Sequence, residues 1–132
     1  MSSLSVSLRS IPDTQAAIGW AGGHTVVIDR PEGRAGGMGL GFNGGQMIAL
    51  AIGGCFCNDL RYVAEAMGMV IETIAVDVTV NLEGSPLLVT GAELTATIDA
   101  DGDVDELMHR ATLDSTVTNS VQRGFPVRIS RG

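Results

Sequence analysis

The chain has 132 residues and a mass of 13.7 kDa, enough for a single domain spanning 1–132 and too little for two independent cores. Hydrophobic residues make up 45%, so a core of Val, Leu, Ile, Ala and Met is available and disorder is excluded. The net charge is −7, every basic residue is Arg and the pI is near 4.5, which argues against binding nucleic acid or an anionic membrane surface.

Ser3 to Ile11 alternates apolar and polar residues and predicts a half-buried strand. Thr14 to Trp20 is a weaker strand candidate, and His24 to Asp29 a better one, rich in β-branched residues. Between Arg30 and Gly45, Pro31 and seven glycines predict an irregular loop. Gln46 to Met67 gives the strongest helix signal, with Asn43 as its cap and Gly68 as its end. The first half of this helix carries almost no charge, which predicts burial nearly all round and, in so small a domain, a partner chain. Asp59, Arg61 and Glu65 give the second half a wetter side.

Val70 to Leu82 and Leu88 to Asp99 alternate cleanly about a Glu83-Gly84-Ser85-Pro86 turn and predict an antiparallel hairpin. Asp103 with Glu106 forms an acidic variant of a capping box for a helix from Val104 to about Asp114. Ser115 caps a second short helix to Arg123, Gly124 ends it, and Phe125 to Ile129 closes with a strand. This order lacks the regular strand–helix alternation of a parallel sheet, so the fold class is α+β, with helices packed on antiparallel sheet. No apolar run reaches the roughly 18 residues of a membrane span. Met1 to Asp13 lacks the apolar centre of a leader, and the chain reads as cytoplasmic.

Three motif matches fail on context. Gly39 to Gly44 fits GxGxxG, but no strand runs straight into it and no βαβ unit follows. Asp99, Asp101, Asp103 and Asp105 alternate like a calcium loop, but its required glycine and glutamate positions are Val104 and Arg110. His24 and His109 lack neighbouring metal ligands. No cofactor or metal is called for.

Cys55 and Cys57 are the two cysteines. At about 100° per residue they lie some 200° apart on the helix, so they face opposite sides and do not form a natural disulfide pair. Cys55 is too deep in the helix for the N-terminal dipole to activate it. A reactive thiolate there needs a cation, and Arg30 and Arg34 in the preceding loop are the candidates.

HTVVID, Pro31, Gly36-Gly37, Gly41-Phe42-Asn43 and the run Gln46 to Cys55, followed by the hairpin and by Ala111 to Val121, resemble the OsmC/Ohr family of thiol peroxidases. Its members carry a helix reading roughly ELLLAALAGC and a later helix reading A…CPVSNxL. The resemblance covers about Val26 to Ile129. It implies an intertwined homodimer in which curved antiparallel sheets wrap a long central helix. It also implies a first cysteine that attacks peroxide, a loop Arg that holds its thiolate, a Glu that orients the Arg, and a second cysteine that resolves the sulfenic acid. On this sequence the first cysteine falls on Cys55 and the Arg on Arg34 or, as the second choice, Arg30. The Glu position falls on Gly45, beside Gln46, and the second cysteine on Ser115. Serine cannot form the resolving disulfide.

Two named functional readings stay open, beside a third in which the fold carries another chemistry or interaction. In one, Cys55 is a one-cysteine hydroperoxide reductase that depends on an external thiol. In the other, the chemistry is lost and an interface pocket lined by Met47, Ile48, Ala51, Cys55 and Phe42 holds an apolar small molecule. Cys57 then packs within the helix, Ser115 is a helix cap, and the loop arginines are solvated.

Overall fold

The computed structural model describes all residues 1–132 and divides into two compact units, Met1–Met47 and Ile48–Gly132. The fold is α+β with antiparallel sheets.

The first unit is built on a three-stranded antiparallel sheet, β1 (Ser7–Ser10), β2 (Ala17–Ala21) and β3 (His24–Ile28). β1 is shorter than the alternation from Ser3 predicts, because its partner β2 extends only far enough to pair Ser7 with Trp20. β2 starts late because Asp13 to Ala16 is a turn: the Thr14 hydroxyl donates to the Ile11 carbonyl and accepts from the Ala16 N–H. The glycine-rich segment after β3 folds back on it. The Phe42 N–H donates to the Val27 carbonyl, and the Asp29 N–H donates to the Phe42 carbonyl. Gly41 makes this return possible, since any Cβ there would collide with the Val27 carbonyl.

Asp29 holds the loop's interior. Its buried carboxylate accepts the Met38 and Leu40 N–H groups at 3.0 Å each and the Arg30 N–H at 2.8 Å. The Leu40 hydrogen bond is the largest influence that holds this carboxyl below its ordinary value, with help from Met38 and from the Arg30 amide and guanidinium against the opposing effect of burial.

The second unit contains nearly all of a long helix, α1 (Gly44–Met67). Asn43 caps it as predicted: its side chain accepts the Gln46 N–H, and the Gln46 side chain accepts the Asn43 N–H, a reciprocal capping box. Gly68 ends it at φ +69°. Strands β4 (Ile71–Glu83) and β5 (Leu88–Ala100) form the predicted hairpin. Ile74 pairs with Ile98, Val76 with Ala96 and Val78 with Leu94, so one face is apolar throughout. Helix α2 (Val104–Asp114) starts at Asp103, whose carboxylate accepts the Glu106 N–H, and α3 (Thr116–Arg123) follows.

The main core cluster lies in this second unit, while Ala16 is the buried apolar side chain of the first. Phe56, Leu60, Val63 and Ala64 of α1 pack with Ile71, Leu107 and Ala111. Leu60 and Leu107 are fully buried, and such side chains contribute about 1.5–3 kcal/mol each. Gly53 lets helix and hairpin approach closely, since a Cβ there would lie 2.9 Å from Val78 Cγ2.

Within one chain only Ile52, Gly53 and Phe56 are buried in the first half of α1, and Leu50 is 49% exposed, because one hairpin covers only one side of a helix. The further cover that the sequence reading assigns to a partner chain is not supplied by the chain itself. Three other expectations are corrected. Asp59 does not belong to a wet face, since it is only 8% exposed. α1 is long and apolar enough by length and composition to cross a membrane, because such a window tolerates the charges of Asp59 and Arg61. Its packing on the hairpin is nevertheless that of a core helix. Phe125 to Ile129 forms no strand and pairs with nothing in the chain, leaving Phe125, Val127 and Ile129 exposed.

Ser115 lies at the N-cap of α3 but makes no capping hydrogen bond, and its fully buried hydroxyl has no partner. Replacing an ordinary N-cap Ser by Ala costs about 1 kcal/mol. Here Ser115→Ala removes an unsatisfied buried group, and the expected change is a gain of about 1 kcal/mol in the urea-unfolding free energy.

Gly53→Ala should lower stability by about 1–3 kcal/mol through overpacking. The same change in a Val78→Ala background should cost less, giving a favourable coupling in a double-mutant cycle. Because folding lowers the affinity of Asp29 for a proton, its contribution is complete above the unfolded value of about 3.9 and is lost as pH falls through the folded value. Thermal melts between pH 6 and pH 2 should therefore show a steeper loss for the native chain than for Asp29→Ala.

Candidate functional site

Cys55 is half-buried at the start of the fourth turn of α1. Its Sγ lies 3.5 Å from Asp59 Oδ2 and donates to it, one helical turn along. Asp59 forms no ion pair, and the thiol is the only side chain hydrogen-bonded to it. The sequence reading missed Asp59 as a site residue. The available signal was its spacing, since a carboxylate four residues after a cysteine faces it on a helix.

At about 100° per residue, Cys55 lies about 20° round the helix from Ile48 and about 60° from Ile52. Ile48, Ile52 and Phe56 form one wall of a cavity of about 540 Å³ in the second unit. Leu94 of β5, Met108 of α2 and Val121 of α3 close much of the rest, with Thr112, Thr118 and Gln122 as polar points. No ionisable side chain lines it. Cys55 itself is not among the lining residues. Of the other residues expected to line a pocket, Ile48 does so here, and Met47 lines a shallow groove of the first unit with Leu8, Trp20 and Val26. Phe42 and Ala51 are exposed and line neither space. Ala51 is turned about 100° from Ile52, away from the hairpin side.

Arg30 and Arg34 differ in their engagements. Arg30 donates to the Gln15 carbonyl and pairs with Asp29 at 3.3 Å, so its guanidinium is committed to the loop. Arg34 is exposed, and its side chain makes no hydrogen bond or ion pair. Cys57, about 200° from Cys55, is half-buried and has no hydrogen-bond partner. Ser115 offers a buried hydroxyl where a two-cysteine site would need a second sulfur.

No group of three or more His, Cys, Asp or Glu side chains is arranged to hold a metal. Around Cys55 the structure shows a half-buried thiol hydrogen-bonded to a carboxylate, with an apolar cavity lined from the same side of the helix. That combination suits reaction with, or retention of, an uncharged molecule.

Comparison with known proteins agrees with this fold. An OsmC-like protein of unknown function from Vibrio cholerae superposes with a TM-score of 0.77 at 14% identity, covering 92% of this chain and 95% of that one. An organic hydroperoxide resistance protein OsmC from Legionella pneumophila gives 0.67 at 19% identity, covering 92% and 90%. An organic hydroperoxide resistance protein from Elizabethkingia anophelis gives 0.64 at 15% identity, covering 92% and 89%. No curated protein matches significantly. The family model for OsmC-like proteins matches residues 36–130, which takes in α1, the hairpin and both short helices, and the chain belongs to the OsmC-like family.

Proposed function

We propose that this protein is a one-cysteine thiol peroxidase for organic hydroperoxides, with Cys55 as its nucleophile. The observation that carries the reading is the placement of the Cys55 thiol, half-buried, hydrogen-bonded to a carboxylate and beside the uncharged cavity wall of Ile48 and Ile52. The names of the Legionella and Elizabethkingia neighbours support the same substrate class. The sulfur attacks the terminal peroxide oxygen, the S–O bond forms and the O–O bond breaks. Cys55 is oxidised to sulfenic acid, and the hydroperoxide is reduced to an alcohol.

Ser115 cannot resolve the sulfenic acid, so an external thiol does so. One equivalent forms a mixed disulfide with Cys55 and releases water, and a second releases the Cys55 thiol and a small disulfide. No cofactor enters this cycle. A second copy of the chain completes the reading as a homodimer, which is supported by apolar side chains that α1 leaves exposed within one chain, Leu50 at 49% and Tyr62 at 71%. The cell compartment assigned is the cytoplasm, where a thiol reductant is at hand.

A second reading, retention of an apolar molecule without redox chemistry, is favoured by the cavity's lack of any ionisable lining residue.

Reduced protein treated with a slight excess of an alkyl hydroperoxide and a sulfenic-acid probe should be labelled stoichiometrically at Cys55, and Cys55→Ser should not be labelled. Labelling no faster than that of a free small thiol would remove the peroxidase reading. Binding of an apolar fluorescent probe, lost in Ile52→Arg, would then favour the second. Light scattering should give a mass of twice 13.7 kDa.

A further inference from the structure

Within the second unit, the side chain that hydrogen-bonds the proposed nucleophile is a carboxylate without an ion-pair partner. Burying a carboxylate without a counter-charge is costly, and Asp59 is over nine-tenths buried. The elements that pack on α1 offer it nothing. The half-buried face of the hairpin is Ile74, Val76 and Val78 with Leu94, Ala96 and Ile98, and α2 contributes Leu107, Met108 and Ala111. The Glu106 of α2 is paired with Arg110. On α1 itself, Arg61 is exposed and donates to the Ile71 carbonyl at 3.1 Å, while Glu65 is exposed. Within the chain, the one side-chain hydrogen bond of Asp59 is with Cys55.

We infer that Asp59 is the proton acceptor for Cys55: it takes the thiol proton as the sulfur attacks. This inference rests on the nucleophilic role of Cys55 proposed above. A general base must lie within hydrogen-bond reach of the proton it removes, and a nucleophile weak in its neutral form is activated by such a base. Transfer moves the negative charge from the deeper carboxylate to the shallower sulfur, which spends it in bonding to the electrophile. With a hydroperoxide, the departing alkoxide takes the proton back from Asp59, so the alcohol leaves neutral and Asp59 regains its charge. Protons and electrons balance with the hydroperoxide as the sole oxidant.

Like charge and general base have opposite signatures, which makes the idea testable without peroxide. A carboxylate that acts only by its charge opposes the thiolate, so its removal should speed reaction. A carboxylate that removes the proton assists, so its removal should slow it. The experiment is the pH dependence of alkylation of Cys55 by iodoacetamide, a neutral electrophile, in a Cys57→Ser background, followed by intact mass.

The expected profile falls by clearly less than tenfold per pH unit between pH 7.5 and 5.5. Asp59→Asn should restore the tenfold slope of simple thiolate reaction and be at least about tenfold slower at pH 6. An equal or faster rate in Asp59→Asn at pH 6 would overturn the inference. So would a tenfold slope in the parent protein, which needs no folded Asp59 variant. Assisted alkylation without sulfenic acid formation by hydroperoxide would uphold the role of Asp59 while removing the peroxidase reading.

Discussion

The second unit depends on one face-to-face contact, the apolar stripe of α1 against the inner side of the β4–β5 hairpin. A two-stranded sheet is marginal by itself. It persists here because Val76 and Val78 meet the helix where Gly53 leaves no side chain in the way. α2 closes the other flank through Leu107 and Ala111. The same contact fixes the rotation of α1 about its axis. With Gly53 turned to the sheet, Ile48 and Ile52 face the cavity, and Cys55 and Asp59 fall on the same side of the helix without lining it.

That rotation also explains the contrast between the two cysteines. They differ by two positions, which on a helix is more than half a turn, so one contact with the sheet assigns them different surroundings. Cys55 acquires a carboxylate at the next turn, whereas Cys57 acquires no polar partner. The difference in chemistry follows from helix geometry and needs no difference in local composition.

Much of the fold was legible in the sequence because the signals were local. The Asn43 cap, the Gly68 stop, the alternation of Ile74 to Leu82 and the Asp103 cap each depend on residues within a few positions of one another, and each appears where the pattern put it. The failures required knowledge of partners distant in sequence. The alternation of Phe125, Val127 and Ile129 has strand character, but a strand forms only by pairing with a partner, and within the chain this segment pairs with neither sheet. Asp59 looked solvated by its type, yet it is buried in the folded chain, which residue type alone does not signal. The Cys55 position was legible through the family's helix pattern. Its carboxylate partner was not, because that pattern directed attention to a loop arginine. Ser115 was legible as a cap position, yet its side chain turns inward and caps nothing.

The Asp29 carboxylate draws the amides of residues 30, 38 and 40 onto itself. The path of the loop is thereby recorded in main-chain atoms, which every amino acid except proline shares. Met38 and Leu40 point their side chains outward while their amides do the anchoring. Those side chains are therefore free to drift over evolutionary time while the loop keeps its course. The surface they present can be rewritten without the framework beneath it having to change.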